Sequence, residues 1–167
     1  MIQVYTGNGK GKTTAALGLS LRAAGSGLKV YIGQFAKGKP YGELKALKKI
    51  KNIQIEQFGR NCFIKRTPRA KDIELAKKGF EKIKKIIAKR LYDVVVLDEI
   101  SIAIRLKLLE LKDVIDIIKK APKNLELILT GRYAPREILK IADLVSEIKE
   151  VKHYFKKGIK ARKGIEF

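Results

Sequence analysis

Four consecutive apolar residues, Val94-Val95-Val96-Leu97, end directly on the acidic pair Asp98-Glu99. β-Branched side chains favour an extended, pleated backbone, and an unbroken apolar run leaves no face for water. A segment of that kind belongs inside a parallel sheet with helices on both sides. Five other short apolar runs, at 2–5, 29–35, 53–58, 125–129 and 144–148, repeat the strand signal along the chain. Between them lie helical patterns at 12–24, 43–50, 72–90 and 111–120, and another opening after Pro135. The clearest of these sets Ile73, Ala76, Phe80, Ile83 and Ile87 on one stripe and lysines on the other face. Strand–helix alternation throughout predicts an α/β fold of three layers around a mainly parallel central sheet. No repeat, low-complexity tract or linker interrupts it, so the chain reads as a single domain, 1–167.

Open parallel sheets gather ligands at the carboxyl ends of their strands, and the chemistry-bearing residues fall there. The loop after the first strand reads TGNGKGKTT, residues 6–14. The strict pattern G-x-x-x-x-G-K-[ST] has glycine where this chain has Thr6, but Gly7, Gly9 and Gly11 follow. Glycines at this spacing let the backbone turn N–H groups inward as an anion-binding nest. Lys12 opens the following helix, whose N-terminus favours negative charge, and the Thr13 hydroxyl can ligate Mg²⁺. VVVLDE has the form of a Walker B strand, with Asp98 placed to hold Mg²⁺ directly or through water. Together the two motifs predict a nucleoside triphosphate site. Glu99 reads either as a group that polarises water or as an acid that tunes the metal from behind. Arg132, in LTGR, reads as a phosphate clamp or as a strand-end residue paired to an acid. Lys10 is an extra cation within the loop.

Composition narrows the function classes. The chain carries 38 Lys and Arg against 17 Asp and Glu, a formal charge of +21, which attracts polyanions. Much of that charge sits on helix faces such as KKGFEKIKKIIAKR, where it also solvates the surface. No apolar run approaches the ~20 residues that span a bilayer, and the start of the chain is no signal peptide, so a cytoplasmic protein is expected. One cysteine, Cys62, and one histidine, His153, make neither a disulfide nor a zinc cluster.

Longer stretches carry more than a generic phosphate loop. YTGNGKGKTTAALGLSLRAAGSGLKVYIGQFAKG, Gly42-Glu43, VVVLDE, LTGRYAP, IADLVSEI and VKHYFKKGIKARKGIEF together resemble the P-loop ATP:corrinoid adenosyltransferases over essentially the whole chain. The resemblance implies a P-loop, RecA-like fold. It also implies a reaction in which a Co(I) corrinoid attacks the 5′-carbon of ATP and triphosphate leaves. ATP and the corrinoid are then substrates, with Mg²⁺, a reductase that supplies Co(I) and a homodimeric assembly as further expectations. By position, Gly7, Asn8, Gly9, Lys10, Gly11, Lys12, Thr13 and Thr14 would bind the triphosphate, with Thr13 and Asp98 or Glu99 at the metal. Lys12, Glu99 and Arg132 would be the catalytic set. Gln34, Glu43 and the loop at 58–65 would face the corrinoid.

Two departures accompany the resemblance. Family members often place an aromatic pair that includes Trp in the loop after the third strand, and this chain has no Trp. Phe63 is the candidate substitute, with core packing as its alternative role. Some members carry an extension before the first strand that covers the site; here that strand begins at Ile2, so a lid would come from elsewhere, such as the basic tail. The competing reading is a RecA-like ATPase acting on nucleic acid, which the charge suggests. No DNA-reading helix and no aromatic–basic interleaving supports it, so nucleic acid is not the expected partner. A nucleoside kinase, or a module that binds nucleotide without turnover, leaves the tail motif unexplained.

Overall fold

The computed structural model describes residues 1–61 and 67–166. Among them six strands form one sheet in the order β3-β2-β4-β5-β1-β6, and every neighbouring pair is parallel. The strands are β1 Ile2–Thr6, β2 Val30–Phe35, β3 Ile53–Phe58, β4 Val94–Asp98, β5 Glu126–Thr130 and β6 Leu144–Glu147. Helices connect them: α1 Lys12–Gly25, α2 Gly42–Leu47, α3 Ala70–Ala88, α4 Ile100–Arg105, α5 Leu111–Lys120 and α6 Arg136–Ile141.

The apolar run that set the expectation is buried along its whole length, each residue of β4 being at most 2% exposed. Its two faces supply two separate clusters. Val95 and Leu97 pack with Phe80 and Ile83 of α3, Val114 of α5 and Ile138 of α6. Val94 and Val96 pack with Ala16 and Ala23 of α1 and Leu47 of α2. Helix α1 buries Ala16, Ser20 and Ala23, small residues at helical spacing that let its axis lie close to the sheet. Three layers follow from this alternation of side chains, with β4 and β5 at the centre of the sheet.

The structure adjusts the expectations at particular points. α4 was not expected, because ISIAIR is rich in the β-branched residues that favour strands. It begins because Glu99 takes a left-handed φ of 59° and breaks the strand direction. β6 is a strand as expected, but it lies at the sheet edge with every residue exposed. The tail contains one 3-10 turn, Tyr154–Lys157. No described helix is long and apolar enough to cross a membrane.

Candidate active site

The loop between β1 and α1 folds against the exit of β6. The Gly9 N–H donates to the Ile148 carbonyl at 2.7 Å. A Cβ on Gly9 would sit 2.7 Å from Ile148 O and 2.8 Å from Lys149 O, and one on Gly7 2.4 Å from Ile148 O. These two glycines are therefore required by close backbone approach, and the Gly9 amide is spent on the protein rather than turned into the nest. Gly11, at φ 118°, starts α1. The first turn of α1 has no acidic residue and no side-chain cap, so its amides and dipole present positive character to the loop. Lys12 is only 6% exposed, and its ammonium lies across the loop, donating to the Gly9 carbonyl at 2.5 Å. Burial first, then the neighbouring Arg132 charge, push its pKa down against the pull of Glu99 and Asp98.

Asp98 ends the central strand fully buried, and four side chains, from α1, β5, β2 and the loop after β2, converge on it. Thr13 of α1 and Thr130 of β5 donate hydroxyls to Oδ1 at 2.9 and 2.6 Å. Gln34 of β2 and Lys37, just beyond β2, donate to Oδ2 at 3.1 and 2.7 Å. Lys37 also reaches the Thr13 hydroxyl oxygen at 3.2 Å. Burial alone would raise the Asp98 pKa, but the Lys37 charge and the donated hydrogen bonds outweigh it and hold the carboxyl below its ordinary range. Lys37 shows the mirror effect: burial lowers its pKa, Asp98 raises it, and the net direction is up. Gln34 is held in turn by Gln57 of β3, whose amide donates to it at 3.0 Å, and it approaches Glu43 at 3.5 Å.

Glu99 stands beside this hub at the start of α4, its own N–H donating to Thr130 Oγ1 at 3.0 Å. Burial and the Asp98 charge raise its pKa, while Lys37, Lys12 and Arg132 pull the other way. Arg132 is exposed and lines an open groove of about 440 Å³ with Asn8, Tyr133, Glu147 and Lys149. Tyr133, next to it, holds a left-handed φ of 61° and stacks on the Arg105 guanidinium at 4.0 Å from the ring centre. Thr14 lies exposed in the first turn of α1.

Lys10 has a different set of partners from the one expected of a phosphate-loop cation. Its ammonium donates to Tyr154 OH at 2.8 Å, Glu166 Oε1 at 2.7 Å and Ile165 O at 3.3 Å. Glu166 also accepts from Tyr154 OH and, at 2.6 Å, from the Arg162 N–H. These donors, led by Lys10, hold its carboxyl well below the usual range. Among the described residues, Lys10 is the main anchor of 153–166 on the rest of the chain, and a Lys156–Glu150 ion pair adds a second tie just before the segment.

The structure thus brings Lys12, Thr13, Asp98, Glu99, Gln34 and Glu43 to one end of the sheet, with Asn8 and Arg132 at its margin. Phe63, and with it Cys62, lies outside the described residues. Thr130, and Lys37 within 34–38, fall at the strand ends where ligands are expected from sequence, but the sequence assigned neither a role; Gln57 and Glu166 had no signal.

The donor set at Asp98 suits a hard divalent ion. Thr13 Oγ1 and the Asp98 carboxylate are the oxygen ligands it offers, and the described residues contain no cluster of three or more His, Cys, Asp or Glu that could cage a metal. Mg²⁺ is commonly held by one or two carboxylates together with substrate phosphates, which is the arrangement that Thr13, Asp98 and the adjoining loop allow.

Comparison with known proteins adds the family. The KaiC-like protein PH0186 from Pyrococcus horikoshii OT3 superposes with a TM-score of 0.59 at 17% identity, over 90% of this chain and 73% of that one. That likeness concerns the fold, a P-loop, RecA-like arrangement. The corrinoid adenosyltransferase of Escherichia coli (strain K12) is 37% identical over 168 residues, covering 100% of this chain and 85% of the relative. The corrinoid adenosyltransferase CobA of Salmonella typhimurium is 38% identical with the same two coverages, 100% and 85%. Residues 1–167 match the family described as ATP:corrinoid adenosyltransferase BtuR/CobO/CobP. With that match running through the phosphate loop, the Asp98 hub and the tail alike, the chain belongs to the ATP:corrinoid adenosyltransferase family.

Proposed function

We propose that this chain transfers the 5′-deoxyadenosyl group of ATP to the Co(I) centre of a corrinoid. The Co(I) electron pair forms the Co–C5′ bond, the C5′–O bond breaks, and triphosphate leaves with the bonding pair. The observation that carries the reading is the full-length match to the family, residues 1–167. The site's chemistry agrees with it. Co(I) is itself the nucleophile, so no activated serine, cysteine or histidine base is needed. What remains is to hold a polyanion and stabilise charge growing on it, the task for which preorganised donors and cations are suited.

In this reading the loop from Gly7 to Thr14 and the N-terminus of α1 bind the triphosphate, and Lys12 and Arg132 contact its oxygens. Thr13 and Asp98 hold Mg²⁺, with Glu99 alongside. When bound, the ion neutralises phosphate charge. Glu43 faces the corrinoid. Gln34, expected to face it too, is buried between Asp98 and Gln57 and supports the site from below. Phe63 is retained as the apolar side chain against the corrinoid. A single domain carries the whole activity in the cytoplasm, with a separate reductase delivering Co(I). A homodimer is the proposed assembly; the edge strand β6, with Leu144 and Val145 44% and 45% exposed, supports a second copy docking there. No particular observation favours the nucleic-acid ATPase reading.

The test is to incubate the protein with ATP, Mg²⁺ and chemically reduced corrinoid. Adenosylcorrinoid and triphosphate should appear in equal amounts. Release of ADP and phosphate at a comparable rate without corrinoid would overturn the assignment.

A further inference from the structure

The Asp98 hub contains a cation that the nucleotide chemistry has not used. We infer that the Lys37 ammonium occupies the seat between Thr13 and Asp98, shares it with the magnesium ion by exclusion, and gives it up when the magnesium–nucleotide complex binds. The inference rests on the nucleotide reading proposed above and deepens it.

Three contacts define the seat. Lys37 Nζ stands 2.7 Å from Asp98 Oδ2 and 3.2 Å from Thr13 Oγ1, while Thr13 Oγ1 itself donates to Asp98 Oδ1 at 2.9 Å. An ammonium bridging a hydroxyl and a buried carboxylate takes up the oxygen pair that a hard divalent ion would use. The two cations cannot occupy one site, and each alone compensates the charge of Asp98. A carboxylate only 1% exposed needs such compensation at all times. Lys37 supplies it in the absence of metal.

The backbone is built to deliver that side chain. Ala36, immediately before it, has φ 53°, a conformation that residues other than glycine seldom adopt. Gly38, immediately after it, packs so tightly that a Cβ would lie 2.4 Å from Arg60 O. Gly59 presses back, its Cβ position falling 2.7 Å from Lys37 N. Arg60 is fixed by two hydrogen bonds to buried Asp72, at 2.6 and 2.8 Å. With its main chain wedged in this way, Lys37 can leave the seat only by side-chain rotation. The Tyr41 ring, 5.8 Å from Nζ, offers a nearby cation–π position for the displaced ammonium.

Manganese serves as the probe, because its binding can be read by electron paramagnetic resonance without corrinoid or turnover. Lys37→Met keeps the length of the side chain and removes the competitor. With a non-hydrolysable ATP analogue present, Mn²⁺ should bind Lys37→Met about tenfold or more tightly than wild type, since two charge-assisted contacts no longer have to be broken. In EDTA the variant should melt below wild type, and saturating Mn²⁺ with the analogue should close most of that gap. If Lys37→Met does not fold, Lys37→Arg retains the charge, and its firmer hold on Asp98 should weaken Mn²⁺ binding several-fold. Equal or weaker Mn²⁺ binding by Lys37→Met, or a melting deficit that metal leaves unchanged, would reduce Lys37 to a structural ion pair and overturn the inference. Failure of adenosyl transfer with intact Mn²⁺ competition would count instead against the proposed reaction.

Discussion

Lys12 makes a test with two opposite signs. The residue is 6% exposed, and its ammonium donates to the Gly9 carbonyl. Burial and Arg132 push its pKa down. In the ligand-free protein this cation therefore opposes folding, and an anion is what it lacks. Lys12→Met removes the charge while keeping most of the apolar stem, so the variant should be more stable by about 1 kcal/mol, the usual scale for relieving a strained functional site. For a chain of this size that raises the melting temperature by about 2–4 °C. The same change removes a charge-assisted contact to phosphate worth about 1.5–3 kcal/mol, so ATP affinity should fall by roughly 10- to 100-fold. Differential scanning calorimetry in phosphate-free buffer reads the first effect, and isothermal titration with Mg·ATP reads the second. A lowered melting temperature would mean that Lys12 is a structural residue. An unchanged ATP affinity would mean that the loop has been assigned the wrong ligand.

Two further perturbations address the frame around the site. Asp72 is 1% exposed, accepts two Arg60 hydrogen bonds at 2.6 and 2.8 Å and the Arg69 N–H at 2.8 Å, and has a depressed pKa caused first by Arg60. A depressed folded pKa means its stabilisation is complete above the unfolded value near pH 3.9 and is lost as pH falls through the folded one. Asp72→Asn should cost about 3 kcal/mol at neutral pH and should flatten the acid limb of the stability curve; urea titrations from pH 7 to pH 2.5 that superimpose on wild type would contradict this. Glu166→Gln weakens the contacts that join the tail to Lys10, so trypsin cleavage at Lys160, Arg162 or Lys163 should accelerate roughly several-fold, and unchanged cleavage kinetics would show that the tail is held by other means.

What was legible in the sequence was what is local. The burial of β4 follows from four residues in a row, and the phosphate loop from nine. Thr13 and Asp98 were found because two short motifs announce them. That Gln34 and Thr130 pair with Asp98 was not, because the pairing arrives through strand order. Gln34 and Thr130 reach Asp98, and Gln57 reaches Gln34, only because β3, β2, β4 and β5 are successive neighbours in the sheet, and nothing in the alternation of strands and helices dictates that order. The Lys10–Glu166 contact spans 156 residues, and neither residue signals the other. Glu99 illustrates a different limit: its acidity was read, but its left-handed backbone, which ends the strand and starts α4, has no sequence mark comparable to a glycine. β6 was read correctly as a strand, but local pattern says nothing of its exposure. Leu144 and Val145 look like core residues, and only the position of the strand at the sheet edge leaves them exposed.

The distribution of charge argues that few of the basic residues bear on the reaction. Several surface lysines are engaged within one turn of helix, as in Lys71–Glu74, Lys84–Glu81 and Lys120–Asp116, all well exposed. Pairs of that kind contribute little to stability and are screened by salt. At the strand ends Lys10 is matched by Glu166 and Lys37 by Asp98, so each has a local acid to answer it. Lys12 has a carbonyl partner, and Arg132 lies at an open groove. Both are placed where a ligand's negative charge would meet them, although Glu147 and Glu150 share the groove with Arg132. A leaving triphosphate gains negative charge at the moment the carbon–oxygen bond breaks, and cations already held beside it respond to that gain. Hence substitutions at Lys12 and Arg132 should lower kcat as well as affinity, whereas neutralising exposed lysines on α3 should leave both near wild type. A steady-state comparison of Arg132→Met with Lys78→Met checks this, and equal losses in the two variants would show that the overall field of the protein, rather than these two groups, supports the reaction.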